Sequence, residues 1–274
     1  MFLDAKFLPP ELDCLSPEQI GDLLDDEDIL SVLHSYEEDQ WSAKYELFKH
    51  LFPEETYQVG EFTAWARHLY ARHMEFFKLG KDIQFRCFMA ANRVGKTFSG
   101  GGYELTCHLT GQYPEWWEGR RFNHPVRAWA CGKTNETTRD IVQTTLVGDI
   151  SYDGARKGVD GSGIIPLECI SREPGMITWK QGVADLIDTI KIKHKSGKWS
   201  KLGFKSYQQG RGAFEGTAQH VIWDDEEPPV EVYGEQAIRL ATTKGILMLT
   251  FTPLEGMSDV VQNFLPDDVD VLGA

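Results

Sequence analysis

Ala90-Ala91-Asn92-Arg93-Val94-Gly95-Lys96-Thr97 is the stretch on which the reading of this chain turns. It follows a short apolar run of strand length, Phe85 to Ala91 (FRCFMAA), and precedes a sequence that suits a helix through about Leu109. Its GKT end matches the phosphate-loop pattern GxxxxGK[ST], with Ala90 where that pattern has its leading glycine. The chemistry follows from the backbone. Successive N–H groups and the start of a helix point at phosphate oxygens. Gly95 lets the main chain approach closely, Lys96 reaches the β and γ oxygens, and the Thr97 hydroxyl suits Mg²⁺. Ala91, Asn92, Arg93, Val94, Gly95, Lys96 and Thr97 are therefore the candidate nucleotide-binding residues, and the ligand they imply is ATP with Mg²⁺. A GKT tripeptide is common by chance, and the alternative is a turn with a solvated lysine. The strand before it and the helix after it make the signal far more specific.

Val221-Ile222-Trp223-Asp224-Asp225-Glu226-Glu227-Pro228-Pro229 is the second chemical element. An apolar strand that ends in carboxylates suits a metal-nucleotide site. One carboxylate holds Mg²⁺ and the next orients the attacking water. Asp225 is assigned to the metal with Thr97, and Glu226 to the water. Asp224 and Glu227 are the rival members, because adjacent strand residues face opposite sides. The third element is Leu249-Thr250-Phe251-Thr252-Pro253. Thr250 and Thr252 at the C-terminal end of a buried strand lie where open α/β sheets bind ligands. Hydrolysis also needs a cation on the developing phosphoryl charge. Arg93, inside the loop, and Arg211, in QQGRGAFEGT, are the two candidates, in cis or at a neighbouring subunit.

Outward from these motifs, short apolar runs alternate with helical ones. Val126–Cys131, 219–223 and Gly245–Thr250 read as buried strands, and 135–147 reads as a helix with Asn135 as its cap. Residues 149–175, rich in Gly and Pro, read as loop. Residues 176–195 and 198–207 alternate as strands around a Ser196-Gly197 turn. This pattern predicts an α/β fold with a mostly parallel central sheet flanked by helices. Residues 61–80 read as one helix. Before them lies an acidic helical arm, 1–60, with Ser16-Pro17-Glu18 as a helix start and WSAKYELFKHLF as a further helix. The expected division is thus 1–60 and 61–274.

The chain has 274 residues and a net charge of −14. Residues 1–60 hold 15 acidic and 3 basic side chains, a net of −12, so the remaining 214 carry only −2. The acidity belongs to the arm, which is either a partner-docking element or a solvated cap. The body is close to neutral, and 191–205 (KIKHKSGKWSKLGFK) holds six lysines. That hairpin either tracks nucleic-acid phosphates or protects an edge strand. No apolar run approaches the ~18 residues of a membrane span, and the N-terminus has no signal-peptide pattern. The five cysteines are scattered with no CxxC pair, against a zinc site or a disulfide framework.

Taken together, AANRVGKT, SYQQGRGAFEGTAQHVIWDDEEPP and LTFTPLEG, in that order, resemble the large terminase subunit of tailed phages, over roughly Arg67 to Met257. The resemblance implies an ASCE-type P-loop fold and an ATP-hydrolysing motor that moves double-stranded DNA into a procapsid. It places the metal and catalytic carboxylates on Asp225 and Glu226, and a coupling motif on Thr250 to Thr252. It implies a ring, usually of five subunits, on the portal protein, assisted by a small terminase subunit, in the host cytoplasm. In solution a monomer is compatible with it. Large terminases usually continue into a ribonuclease-H-like nuclease, for which too little sequence follows the third motif, so DNA cleavage is not expected. A helicase-like P-loop ATPase is the alternative reading. A nucleotide kinase would need an arginine-rich lid that the sequence lacks.

Overall fold

A computed structural model describes residues 27–91, 94–253, 256 and 258–265. They form two compact units, one extending to Tyr70 and the other beginning at Ala71. The first holds a helix, Glu27–Tyr45, a short helix, Leu47–His50, and an antiparallel pair, β1 (Tyr57–Val59) and β2 (Phe62–Ala64). The Ser16-Pro17-Glu18 helix start lies outside the described residues. The single helix expected over 61–80 is not what forms. Gly60 takes a left-handed φ of 51°, the chain turns back, and Val59 pairs with Phe62. A 3₁₀ turn, Arg67–Tyr70, closes this unit, and the helix that follows is Ala71–Leu79.

The second unit contains β3 (Phe85–Met89), β4 (Arg127–Gly132), β5 (Ile150–Asp153), β6 (Arg156–Val159), β7 (Ile177–Trp179), β8 (Ile187–Lys193), β9 (Trp199–Ser206), β10 (Val221–Asp225) and β11 (Ile246–Phe251). Seven of these make one sheet in the order β3-β11-β10-β4-β9-β8-β7. The first five run parallel; β8 and β7 are antiparallel additions. Strands β5 and β6 form a separate hairpin turning at Gly154, where the sequence suggested only loop. Every residue of β10 and β11 is buried, as a central strand covered on both faces requires.

Alternation along the strands sorts the core. Ile222, Leu247, Leu249 and Phe251 pack with Trp129 and Cys131 against Val232 and Leu240 of the helix Val230–Ala241. The opposite face carries the helical stretch after the phosphate loop, which begins as a wide π-helical turn, Lys96–Gly102, and continues as an α-helix, Tyr103–Thr110. The helical stretch over 135–147 is capped by Thr134, not Asn135: the Thr134 hydroxyl accepts from the Thr137 N–H and a reciprocal bond completes a capping box. Helices thus lie on both faces of a mostly parallel sheet, with the phosphate loop at the C-terminal end of β3. This is the α/β arrangement, a mostly parallel central sheet flanked by helices, that the sequence pattern predicts.

Two contacts fix the phosphate-loop helix on the sheet. Arg86 of β3 and Glu104 of the helix are both buried and paired through two bonds of 2.7 and 3.1 Å. His108 adds a third contact to Glu104 at 3.2 Å, and Arg86 also donates to the Phe76 carbonyl at 2.5 Å. Burial alone would raise the Glu104 carboxyl, but the Arg86 guanidinium and His108 outweigh it and hold it below its ordinary value. Breaking such a pair from one side costs about 3–5 kcal/mol, because the other charge is left buried. The second contact is steric. A Cβ on Gly101 would sit 2.0 Å from the Trp223 indole nitrogen, so only glycine lets the helix lie this close to β10. Gly101→Ala is expected to lower stability by about 1–3 kcal/mol through forced displacement. Urea denaturation measures it, and an unchanged midpoint would contradict the close approach.

Candidate active site

The phosphate loop is shaped by Gly95, which takes a left-handed φ of 81° and caps the π-helical turn. Its carbonyl accepts from the N–H groups of Ser99 (2.9 Å) and Gly100 (3.0 Å) and from the Ser99 hydroxyl (2.8 Å). A Cβ at Gly95 would lie 2.4 Å from that hydroxyl. Behind it, the buried His73 ring places Nε2 3.1 Å from the same hydroxyl and packs edge-on to Phe88. Lys96 is buried, and its ammonium donates to the carbonyls of Ala90 (2.8 Å) and Ala91 (2.6 Å) and to the Thr252 hydroxyl (3.0 Å). Burial lowers its proton affinity, opposed by the charges of Glu226 and Asp225. Val94 is exposed at the loop's outer side. Asn92 and Arg93, both singled out from the sequence, lie outside the described residues.

The acidic strand meets this loop. Thr97 Oγ1 donates to Asp225 Oδ1 at 2.8 Å, joining residues 128 apart in sequence. Thr250 Oγ1 donates to the same oxygen at 3.0 Å, and the Trp223 indole donates to Thr250 Oγ1 at 2.8 Å. Asp225 is therefore held by a chain of donors from three elements. Burial pushes its carboxyl up to about 6, and the Thr97 and Thr250 hydroxyls pull against that shift. Glu226, one residue on, is exposed at the sheet's end and has a left-handed φ of 85°. Two bonds hold that uncommon backbone: Glu226 N–H to the Thr250 carbonyl (3.1 Å) and Tyr207 O–H to the Glu226 carbonyl (2.9 Å).

The rival carboxylates separate cleanly. Asp224 points to the opposite face of the sheet, fully buried, where Gln236 Nε2 donates to its Oδ1 at 2.7 Å. Its Oδ2 has no hydrogen-bond partner among the described residues. Burial raises this carboxyl to about 7, against the hydrogen bonds it accepts. Glu227 is engaged by the Ser258 hydroxyl. Thr252 touches both Lys96 and the Ala90 carbonyl, so it stands at the loop, whereas the fully enclosed Thr250 acts on Asp225. Arg211 is not brought to the loop. Its guanidinium binds Glu235 at 3.0–3.1 Å, and Glu235 also pairs with Arg239. The side chain of Arg211 nevertheless remains more than half exposed.

Beyond Glu226 and Thr252 a cleft of about 610 Å³ opens at the C-terminal ends of the parallel strands, bordered also by Lys133, Thr134, Gln208 and Ser258. Ligands bind open α/β sheets at this end. The oxygen donors present suit magnesium rather than a softer metal. Mg²⁺ is commonly held by one or two protein oxygens with substrate phosphates and water completing the shell. Thr97 and Asp225, already within hydrogen-bond distance of each other, are such a pair, and among the described residues no cluster of three or more His, Cys, Asp or Glu competes with them. Sequence patterns pass over the residues that position this set: Tyr207 behind Glu226, Trp223 behind Thr250, and His73 with Ser99 behind Gly95. Tyr207 and Trp223 fall within the quoted SYQQGRGAFEGTAQHVIWDDEEPP segment, but nothing in it assigned either a role.

Known proteins give an independent comparison. A family model described as terminase large subunit, T4likevirus-type, N-terminal, matches residues 87–271, more than half of the chain. The large terminase subunit of Salmonella phage P22 is 39% identical over 215 residues, covering 72% of this chain and 41% of that protein. The chain thus spans about two-fifths of the length of that curated relative. A solved structure of the large terminase of a thermophilic bacteriophage, in complex with ADP, aligns over 66% of this chain and 37% of that one, with 14% identity and a TM-score of 0.40.

Asp224 yields a test of the site's polarity. Unfolded, its carboxyl titrates near 3.8; folded, at about 7. Its contribution is therefore fully present below pH 3.8 and is lost as pH rises through about 7. Asp224→Asn keeps an acceptor for Gln236 and removes that loss. The variant is expected to be more stable than the parent at pH 8 by roughly 1–3 kcal/mol, with the gain shrinking toward pH 5. Chemical denaturation at both pH values measures this, and an equal difference at the two would refute it.

Proposed function

The chain belongs to the terminase large subunit family, and from that premise we propose that it is an ATP-hydrolysing unit that drives double-stranded DNA into a procapsid. The observation that supports this reading most is the meeting of Lys96, Thr97 and Asp225 at one end of the parallel sheet. A bound metal, which Thr97 and Asp225 would hold, would supply neutralisation of the negative charge on the phosphates. Lys96 exchanges its two main-chain carbonyl partners for phosphate oxygens. The opening turn at Lys96 would offer its free N–H groups to the same anion.

Glu226 then orients and deprotonates a water in the cleft beyond the loop. Its position suits this role: it is next to the carboxylate assigned to the metal, exposed, and its main chain is held by Tyr207 and Thr250. Thr252, in contact with Lys96, registers the departure of the terminal phosphate and passes it into β11. Arg93 within the loop is the cis candidate for the cation on the transferred phosphoryl group. Arg211, exposed and paired to Glu235, fits a role across a subunit boundary, where a neighbour's nucleotide would compete with the carboxylate for it. A small terminase subunit, a portal protein and a ring of such chains at the portal, in the host cytoplasm, are the proposed partners and place. Among the described residues no helix is long and apolar enough to cross a membrane.

Lys96→Ala is expected to abolish ATP binding or turnover, whereas Glu226→Ala should bind ATP with near-parental affinity and hydrolyse it about 10²-fold or more slowly. Equilibrium binding of ATP and release of inorganic phosphate are the measurements. Parental turnover in Glu226→Ala would overturn the assignment of the water-activating group.

A further inference from the structure

The far end of the sheet from the nucleotide carries an arrangement that folding alone disfavours. Strand register places Arg127 of β4 beside Lys201 of β9, and Lys201 directly opposite Lys191 of β8. All three are exposed. Neighbouring strands lie about 4.8 Å apart, so the three cations form a row roughly 10 Å long across the sheet. Like charges directly opposite on paired strands repel. In the next rank along the hairpin, Lys193 is exposed opposite Trp199, a residue 38% exposed. Lys191 and Lys193 alternate with the buried Ile190 and Ile192, so both project from the same solvent-facing side. None of the four cations forms an ion pair among the described residues, whereas Lys78, Arg139 and Lys157 elsewhere each have a carboxylate partner.

An unrelieved row of this kind, in a chain of net charge −14, marks a surface completed by an anion from outside. The anion must be extended, because the row crosses three strands and continues along a fourth position. It need carry no sequence information, because lysines neutralise phosphates without reading bases. The exposed indole of Trp199 adds an apolar contact beside the charges. We propose that Arg127, Lys191, Lys193 and Lys201 form the surface on which this chain grips the phosphate backbone of duplex DNA. The choice of duplex DNA among polyanions rests on the packaging reading above; the location of the grip rests on the register and charge alone. The row sits at the N-terminal ends of β4 and β9. The nucleotide residues sit at the C-terminal ends, roughly 17 Å away along the five steps of β4. Grip and hydrolysis therefore occupy opposite ends of the same strands.

The test is binding of a labelled random-sequence duplex by the whole chain, without nucleotide, across a salt series. The double variant Lys191→Gln/Lys201→Gln is compared with Lys81→Gln as the control, and phosphate release from ATP is measured for each. The parent should bind with a steep salt dependence. The double variant should bind at least about 10-fold more weakly at low salt, with the log–log slope reduced by about 2, one for each lost phosphate contact. Lys81→Gln should match the parent, and basal phosphate release should be unchanged in both. Relief of the Lys191–Lys201 repulsion means that the double variant should unfold no earlier than the parent, which separates lost grip from lost fold. An unchanged slope in the double variant overturns the assignment, as does a parent that shows no salt-dependent duplex binding. Displacement of DNA by polyglutamate at equal charge concentration would also overturn it, in favour of an acidic protein as the occupant. A parent that binds DNA through this row yet releases no phosphate from ATP would sink the hydrolytic reading and leave the surface standing.

Discussion

The contact between the Thr97 hydroxyl and the Asp225 carboxylate is the constraint that the rest of the structure serves. It joins the first turn after the phosphate loop to the end of a strand two places away in the sheet. Two strand spacings amount to about 10 Å, too far for a short threonine side chain unless the helix is lowered onto the sheet. Gly101 allows that approach by leaving room for the Trp223 indole, and the wide opening turn at Lys96–Gly102 sets the angle. The intervening strand, β11, is not a spacer. Its Thr250 holds Asp225 and the residue just past its end, Thr252, holds Lys96, so a single strand touches both halves of the site.

Buried charge appears in two forms, and the difference separates architecture from chemistry. Arg86, Glu104 and His108 are a paired set in which each carboxylate oxygen has a donor, with only the Arg86 Nε left without a partner among the described residues. Such a set adds rigidity with little net cost, since desolvation and pairing nearly offset each other. Asp224 and Asp225 are the other form. Both have raised carboxyls, and among the described residues neither forms an ion pair, Lys96 acting on Asp225 only as a nearby charge. Carboxylates kept in that condition at a sheet's C-terminal end are what a site for an external cation calls for. Asp225 has the neighbours for it, and Asp224, on the other face beside Gln236 and Cys131, belongs to the support of the strand end.

The phosphate loop, the acidic strand and the parallel sheet were legible because each rests on local chemistry: an apolar run of strand length, then a glycine, a lysine, a hydroxyl or a carboxylate. What stayed hidden depends on contacts between distant residues. Asp224 and Asp225 are chemically identical in a string of letters, and only the pleat assigns them to opposite faces. Tyr207 and Trp223 lie inside quoted segments that gave neither a role, and only in the fold do their polar ends meet Glu226 and Thr250. Arg211 offered charge at the right place in the sequence, but a buried glutamate from another helix claims it. The helix expected over 61–80 failed for a simpler reason. A glycine at the start of a turn outweighed a run of apolar side chains that fits either period.

The Arg86–Glu104 bridge has a further meaning for the segment it brackets. One partner precedes the phosphate loop on its strand and the other follows it on its helix, so both ends of the segment are anchored before any ligand arrives. Loop closure is then an expense of folding, and the span of the segment is set by the fold itself. Because the same bridge joins the central sheet to the helix, the frame of the loop and the integrity of the core form one cooperative unit. Heat or denaturant would therefore take both away in a single transition, without a folded intermediate that has lost only its ligand site.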